Sequence, residues 1–93
     1  MSLLNKNVEK VLDVLLDHPN VGYSKKELAE AAEISRSSLY RIWPTLEKNG
    51  IVVEEKRYGN TVLYSLNVES ELVNHLGRII DAQEEWEEKA VEA

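Results

Sequence analysis

The spacing of apolar residues changes abruptly at Asn49-Gly50, and that change fixes most of what this chain can fold into. Before it, Leu39, Ile42, Trp43 and Leu46 stand at i, i+3, i+4 and i+7, the stripe of an amphipathic helix. A lysine in the last turn followed by Gly50 supplies the stop signal. After it, Ile51-Val52-Val53-Glu54-Glu55-Lys56 and Thr61-Val62-Leu63-Tyr64-Ser65-Leu66 are β-branched, aromatic and partly alternating. With the glycine-containing turn Arg57-Tyr58-Gly59-Asn60 between them, they predict a β-hairpin.

Helical patterns flank this break. Leu4, Val8, Val11, Leu12, Leu15 and Leu16 predict a helix from about Leu4 to Asp17, stopped by His18-Pro19-Asn20. Val21-Gly22-Tyr23 reads as a brief strand. Ser24-Lys25-Lys26-Glu27 has the spacing of a capping box, and Leu28, Ala31 and Ala32 give the short helix behind it a small-residue face. Glu33-Ile34 is a tight connection, and Ser35 is a good N-cap for the next helix. From Val68 the chain is helical again. Leu72, Leu76, Ile79, Gln83, Trp86 and Ala90 advance in alternating steps of four and three, with Val73 and Ile80 alongside, which is a heptad seam. The expected architecture is mainly α with a small β-hairpin. Residues 1–67 form its body, and residues 68–93 form a long C-terminal helix in the same compact unit.

Composition narrows the function classes. With 93 residues, 43% of them apolar and 30% charged, the chain suits one soluble domain with a modest core. No apolar run reaches the ~20 residues of a membrane span, and the start lacks the plan of a signal peptide. Without cysteine there are no disulfides or thiolate metal sites, and a cytoplasmic location is expected. The net charge of −6 lies wholly in the last segment. Up to Asn67, nine basic residues balance nine acidic ones; from Val68 there are two against eight. The C-terminal segment is therefore unsuited to phosphate, whereas the body can still carry a basic face. His18 and His75 lie on different helices, and Glu71 with His75 at i, i+4 makes too few ligands, so no metal is expected. With no phosphate-cradling glycine loop and no paired nucleophile and base, neither catalytic residues nor a cofactor are expected.

Two helices joined by a short turn, the second rich in small polar and basic residues and followed directly by a hairpin, have the order of a helix-turn-helix with a wing. The stretch Glu27-Leu-Ala-Glu-Ala-Ala-Glu-Ile-Ser-Arg-Ser-Ser-Leu-Tyr-Arg-Ile-Trp-Pro-Thr-Leu-Glu-Lys-Asn-Gly-Ile-Val-Val53 is similar to the corresponding segment of winged helix-turn-helix regulators of the ArsR, MarR and related families. The resemblance covers roughly Tyr23 to Leu66 and is specific to the superfamily. It implies a transcriptional regulator, expected to act as a repressor, on double-stranded DNA. Base reading then falls to Arg36, Ser37, Tyr40 and Arg41, and phosphate contact to Lys25, Lys26 and Arg57. Ser35 opens the helix with free N–H groups, Ser38 and Thr45 stand near the edges of the exposed face, and Lys56 leads into the wing. Two residues depart from the pattern. Glu33 stands where such families often place glycine, so a residue with a Cβ must make the turn. Pro44 lies inside the recognition helix and should kink it beyond Arg41.

The C-terminal helix would be roughly 34 Å long at ~1.5 Å per residue, more than one small domain can cover. Its seam of Leu72, Leu76, Ile79, Ile80, Gln83 and Trp86 therefore predicts a homodimer, which would read a pseudo-palindromic site. Tyr58 and Tyr64 suit cross-strand packing better than ligand stacking. The competing reading is a winged helix that binds protein instead of DNA, since fold alone does not establish function. No membrane partner is expected, and no residue set identifies a small-molecule effector.

Overall fold

The structure, a computed structural model, describes the backbone of residues 5–92 and the side chains through Gln83. Its elements are α1 (Lys6–Asp17), α2 (Lys25–Ala31), α3 (Arg36–Lys48), β1 (Val52–Tyr58), β2 (Thr61–Leu66) and α4 (Glu71–Glu92). Four helices and one antiparallel hairpin in this order form a winged helix-turn-helix fold. Among the described residues, no helix is long and apolar enough to cross a membrane.

The core forms where the apolar stripes converge. Val8, Val11, Leu12 and Leu15 of α1 meet Leu28, Ala29 and Ala32 around α2, and Leu39, Ile42, Trp43 and Leu46 of α3. Ile51, Val52 and Leu66 close it from the hairpin, and Val73, Leu76 and Ile80 from α4. Each full burial of such an aliphatic side chain contributes about 1.5–3 kcal/mol. Ala29 faces the core where the sequence suggested Ala31, which is exposed. Both are small, so the close approach to α2 is kept.

Hydrogen bonds at the element ends explain where each begins and stops. Asn5 Oδ1 accepts from the Asn7 N–H at 2.8 Å and caps α1. The capping box of α2 is complete: Ser24 Oγ accepts from the Glu27 N–H at 3.1 Å, and Glu27 Oε1 accepts from the Ser24 N–H at 3.0 Å. Beyond α2, Glu33 adopts φ +57°, so a residue with a Cβ does make the turn. The Glu33 N–H reaches the Glu30 carbonyl at 3.1 Å and the Ile34 N–H the Ala29 carbonyl at 3.0 Å, a Schellman closure. The same closure ends α3, with Gly50 at φ +63° in the equivalent place.

The hairpin is longer than the sequence suggested. Arg57 and Tyr58 belong to β1, which leaves Gly59-Asn60 as a two-residue turn with Gly59 at φ +56°. Register runs from Val52 opposite Leu66 to Tyr58 opposite Thr61, and Glu55 is bulged out between Glu54 and Lys56. Tyr23 pairs with Tyr64 on the free side of β2, each N–H reaching the other's carbonyl, at 2.8 and 2.7 Å. At the base, the Asn67 N–H donates to the Ile51 carbonyl and Asn67 Nδ2 to the Gly50 carbonyl, both at 2.9 Å. The last helix starts at Glu71, later than the sequence suggested, because Asn67–Ser70 forms a turn and Ser70 Oγ accepts from the Val73 N–H at 3.3 Å.

Candidate nucleic-acid interface

The inward residues of α3 dictate its outward face. With Leu39, Ile42, Trp43 and Leu46 buried, helical spacing leaves Arg36, Ser37, Tyr40 and Arg41 in solvent, and all four are exposed. Two residues expected beside them have local duties. Ser35 Oγ accepts from the Ser38 N–H at 3.1 Å and donates to Ser38 Oγ at 2.9 Å, so both hydroxyls take part in the cap. Thr45 is half-buried, and its carbonyl accepts from the Asn49 N–H and, at 2.8 Å, from Asn49 Nδ2. Pro44 does not end the helix, which runs on to Lys48. Having no N–H, it leaves the Tyr40 carbonyl without its i+4 donor. The gap therefore opens at Tyr40, toward the C-terminal end of the four exposed residues.

The basic residues around this face are placed unequally. Lys26 and Lys56 are exposed. Arg57 is exposed at the wing, but Arg57 Nη2 lies 3.1 Å from Glu54 Oε1. Lys25 is half-buried at the start of α2, and its Nζ lies 4.8 Å from the centre of the Trp43 ring, 5.6 Å from that of Tyr40 and 5.8 Å from that of Tyr64. An open cleft of about 360 Å³ runs between Ser24-Lys25-Lys26 and Asn60, Thr61, Val62 and Tyr64, joining α2 to the wing. From Lys25 to Arg57 seven basic residues face six acidic ones, so the surface is patterned rather than strongly positive.

Tyr64 is a packing residue. Its ring meets that of Trp43 edge to face, with centroids 4.7 Å apart and planes at 72°. Burial, then the carboxylates of Glu47 and Glu54, push its phenol above the ordinary value, with Arg57 acting against them. Trp43 carries a cost: its Nε1 is buried and has no hydrogen-bond partner among the described residues. Tyr58, by contrast, is exposed at the wing tip.

The seam of α4 divides. Leu76 and Ile80 are buried in the domain's own core and Leu72 packs half-buried against it, while Ile79 and Gln83 are exposed. The heptad stripe is therefore wider than the core needs, and its outer row begins at Ile79. Trp86 lies outside the described side chains. Among the described residues, no group of three or more His, Cys, Asp or Glu is placed to hold a metal ion.

Three features were not found from sequence: the Lys25 site, the Glu54–Arg57 pair and the bulge at Glu55. The Lys25 site depends on residues that the tertiary fold brings together, and the Glu54–Arg57 pair follows from the bulge within β1. Only the bulge has a local trace, in the unbroken charged run Glu54-Glu55-Lys56-Arg57.

No protein-family model and no curated protein matches the chain. Solved structures do. MepR, a transcription regulator of the Staphylococcus aureus multidrug efflux pump MepA, is 17% identical with a TM-score of 0.67, over 92% of this chain and 64% of its own. NadR, solved in complex with 4-hydroxyphenylacetate, is 27% identical with a TM-score of 0.66, over 91% of this chain and 61% of its own. ZitR of Lactococcus lactis, solved in complex with DNA, is 18% identical with a TM-score of 0.56, over 92% of this chain and 62% of its own. The chain thus spans somewhat under two thirds of each of these proteins.

Proposed function

We propose that this winged helix-turn-helix chain is a cytoplasmic, homodimeric, sequence-specific regulator of transcription, acting as a repressor on double-stranded DNA. In this reading α3 enters the major groove, and Arg36, Ser37, Tyr40 and Arg41 read base edges there. The hairpin carries Lys56 and Arg57 toward the adjacent minor groove, Lys26 meets the backbone, and Ser35 presents the N-terminus of α3 to a phosphate. Two copies joined through the outer row of α4 would hold their recognition helices about one DNA turn, ~34 Å, apart on a pseudo-palindromic site.

The observation that carries this reading is the face of α3. Four residues able to contact bases stand together in solvent on a helix whose other side is wholly buried. The solved structures of similar fold support it, since MepR is a transcription regulator and ZitR was solved on DNA. The near-balance of charge favours the second reading, a protein-binding winged helix, because bound phosphate is normally met by a positive surface.

A fluorescence-anisotropy titration of random duplex DNA at two salt concentrations, with light scattering for mass, separates the two. Micromolar binding that weakens with salt, by a particle of twice the chain mass, supports the regulator. A folded dimer that binds no duplex at low salt overturns it in favour of a protein partner.

A further inference from the structure

We propose that Lys25 is a positioning residue of the interface, its ammonium locking the recognition helix to the base of the wing and making no phosphate contact of its own. The proposal rests on the DNA-binding reading and revises the role that the resemblance gave to this lysine.

The geometry carries it. All three ring centres lie within about 6 Å of Nζ, the range over which a ring quadrupole attracts a cation. The rings come from two elements, Tyr40 and Trp43 from adjacent turns of α3 and Tyr64 from β2. One charge at the start of α2 therefore binds both. Trp43 and Tyr64 also meet edge to face, a second contact between helix and strand.

The backbone closes the same triangle. Tyr23 is paired with Tyr64, and Ser24 caps α2, so the chain on either side of Ser24 is tied to the wing and to the helix that carries Lys25. Lys25 is half-buried, whereas its neighbour Lys26 is exposed. Among the described residues, no carboxylate lies within ion-pair distance of Lys25, so the rings are the partner of its charge. The ammonium is held over the rings in the cleft between α2 and the wing. The consequence falls on Tyr40, which is 56% exposed between Arg36 and Arg41, because the same ammonium sits over its ring.

Two variants and two readouts test this. Lys25→Met keeps the methylene stem without the charge, and Lys25→Arg keeps the charge. In the free wild-type chain, the ε-methylene proton signals of Lys25 should be shifted upfield by ring currents, and signals at the position of a solvated lysine overturn the proposal. On random duplex DNA, Lys25→Met should bind about three- to thirtyfold more weakly, with Lys25→Arg restoring most of the loss. The slope of log affinity against log salt should match that of the wild type. A slope reduced by about 0.9 in Lys25→Met would mean a lost phosphate contact and overturn the proposal. If the wild type binds no duplex at any salt concentration, the DNA reading is what fails. The clamp is then judged by the ring-current shift, and by a folding equilibrium constant lowered in Lys25→Met and recovered in Lys25→Arg.

Discussion

Arg57 Nη2 lies 3.1 Å from Glu54 Oε1, on the same face of a strand although the two residues are three positions apart. Side chains alternate along a regular strand, so an i, i+3 pair belongs on opposite faces. The bulge at Glu55 removes one step of that alternation and brings the pair together. The wing arginine is thus partly neutralised by its own strand. Both groups are about half exposed or more, so the pair is worth under about 1 kcal/mol in stability. Glu54→Gln should therefore leave urea unfolding nearly unchanged while raising affinity for random duplex by about two- to fivefold. Unaltered binding in an anisotropy titration would show that Arg57 does not meet DNA.

Arg41 stands on the exposed face one turn before Thr45, ahead of Pro44. Arg41→Ala should cost roughly 1–3 kcal/mol on a duplex selected for tight binding and relax the preference at one base position. An unchanged affinity and an unchanged selected sequence would remove Arg41 from base reading.

The turn between α2 and α3 holds strain. Glu33 at φ +57° costs on the order of 1–3 kcal/mol, offset in a glycine variant by about 0.4–1 kcal/mol of extra freedom in the unfolded chain. Glu33→Gly should stabilise the fold by about 1 kcal/mol, and Glu33→Val should destabilise it. Denaturant midpoints check both, and equal midpoints for the two variants would contradict the strain.

The two rows of α4 let folding be tested apart from the proposed pairing of two copies. Ile79 is half exposed, so Ile79→Glu should leave a folded chain of halved mass by light scattering if the outer row joins two copies. Leu76→Ala opens the core instead and should cost about 2–5 kcal/mol in unfolding. An Ile79→Glu chain that is still dimeric would place the interface elsewhere.

Acid titration should show two opposing carboxylates. Burial, then the like charges of Glu9 and Asp17, raise the pKa of Asp13 above 3.8. Its folded form therefore holds a proton more tightly than the unfolded chain, and its contribution to stability improves as pH falls through that range. Asp13→Asn should gain about 0.5–1 kcal/mol at neutral pH, the sum of two relieved i, i+4 repulsions, with the gain vanishing in acid. Glu27 runs the other way. Accepting the Ser24 N–H lowers its pKa below 4.5, so its contribution is present above that value and is lost as pH falls through the lowered one. Ser24→Ala should cost about 1 kcal/mol at neutral pH. Unfolding curves at neutral and acid pH that shift in parallel for Asp13→Asn would contradict the assignment.

Local rules made much of this fold legible. The stripe Leu39, Ile42, Trp43 and Leu46 is buried as its spacing required, the capping box at Ser24 and Glu27 is closed, and Glu33 makes the turn that its position demanded. What stayed hidden depends on tertiary placement. No pattern along the chain says that Lys25 lies over Trp43, because the rings lie fifteen or more residues away and on two elements. The heptad of α4 showed an apolar stripe without saying which row the domain keeps. Leu76 and Ile80 join the domain's own core, whereas Ile79 and Gln83 are exposed.

Asn67 has one more consequence. By bonding to both Gly50 and Ile51 it fastens the two ends of the wing to each other, so the hairpin is a cassette closed at its own base. The tip at Gly59-Asn60 can be lengthened, shortened or exchanged with little effect on the helices, because no described residue packs against Gly59 and a longer loop adds only slowly to the entropy of closure. The length of the wing can therefore vary while the helical body stays the same.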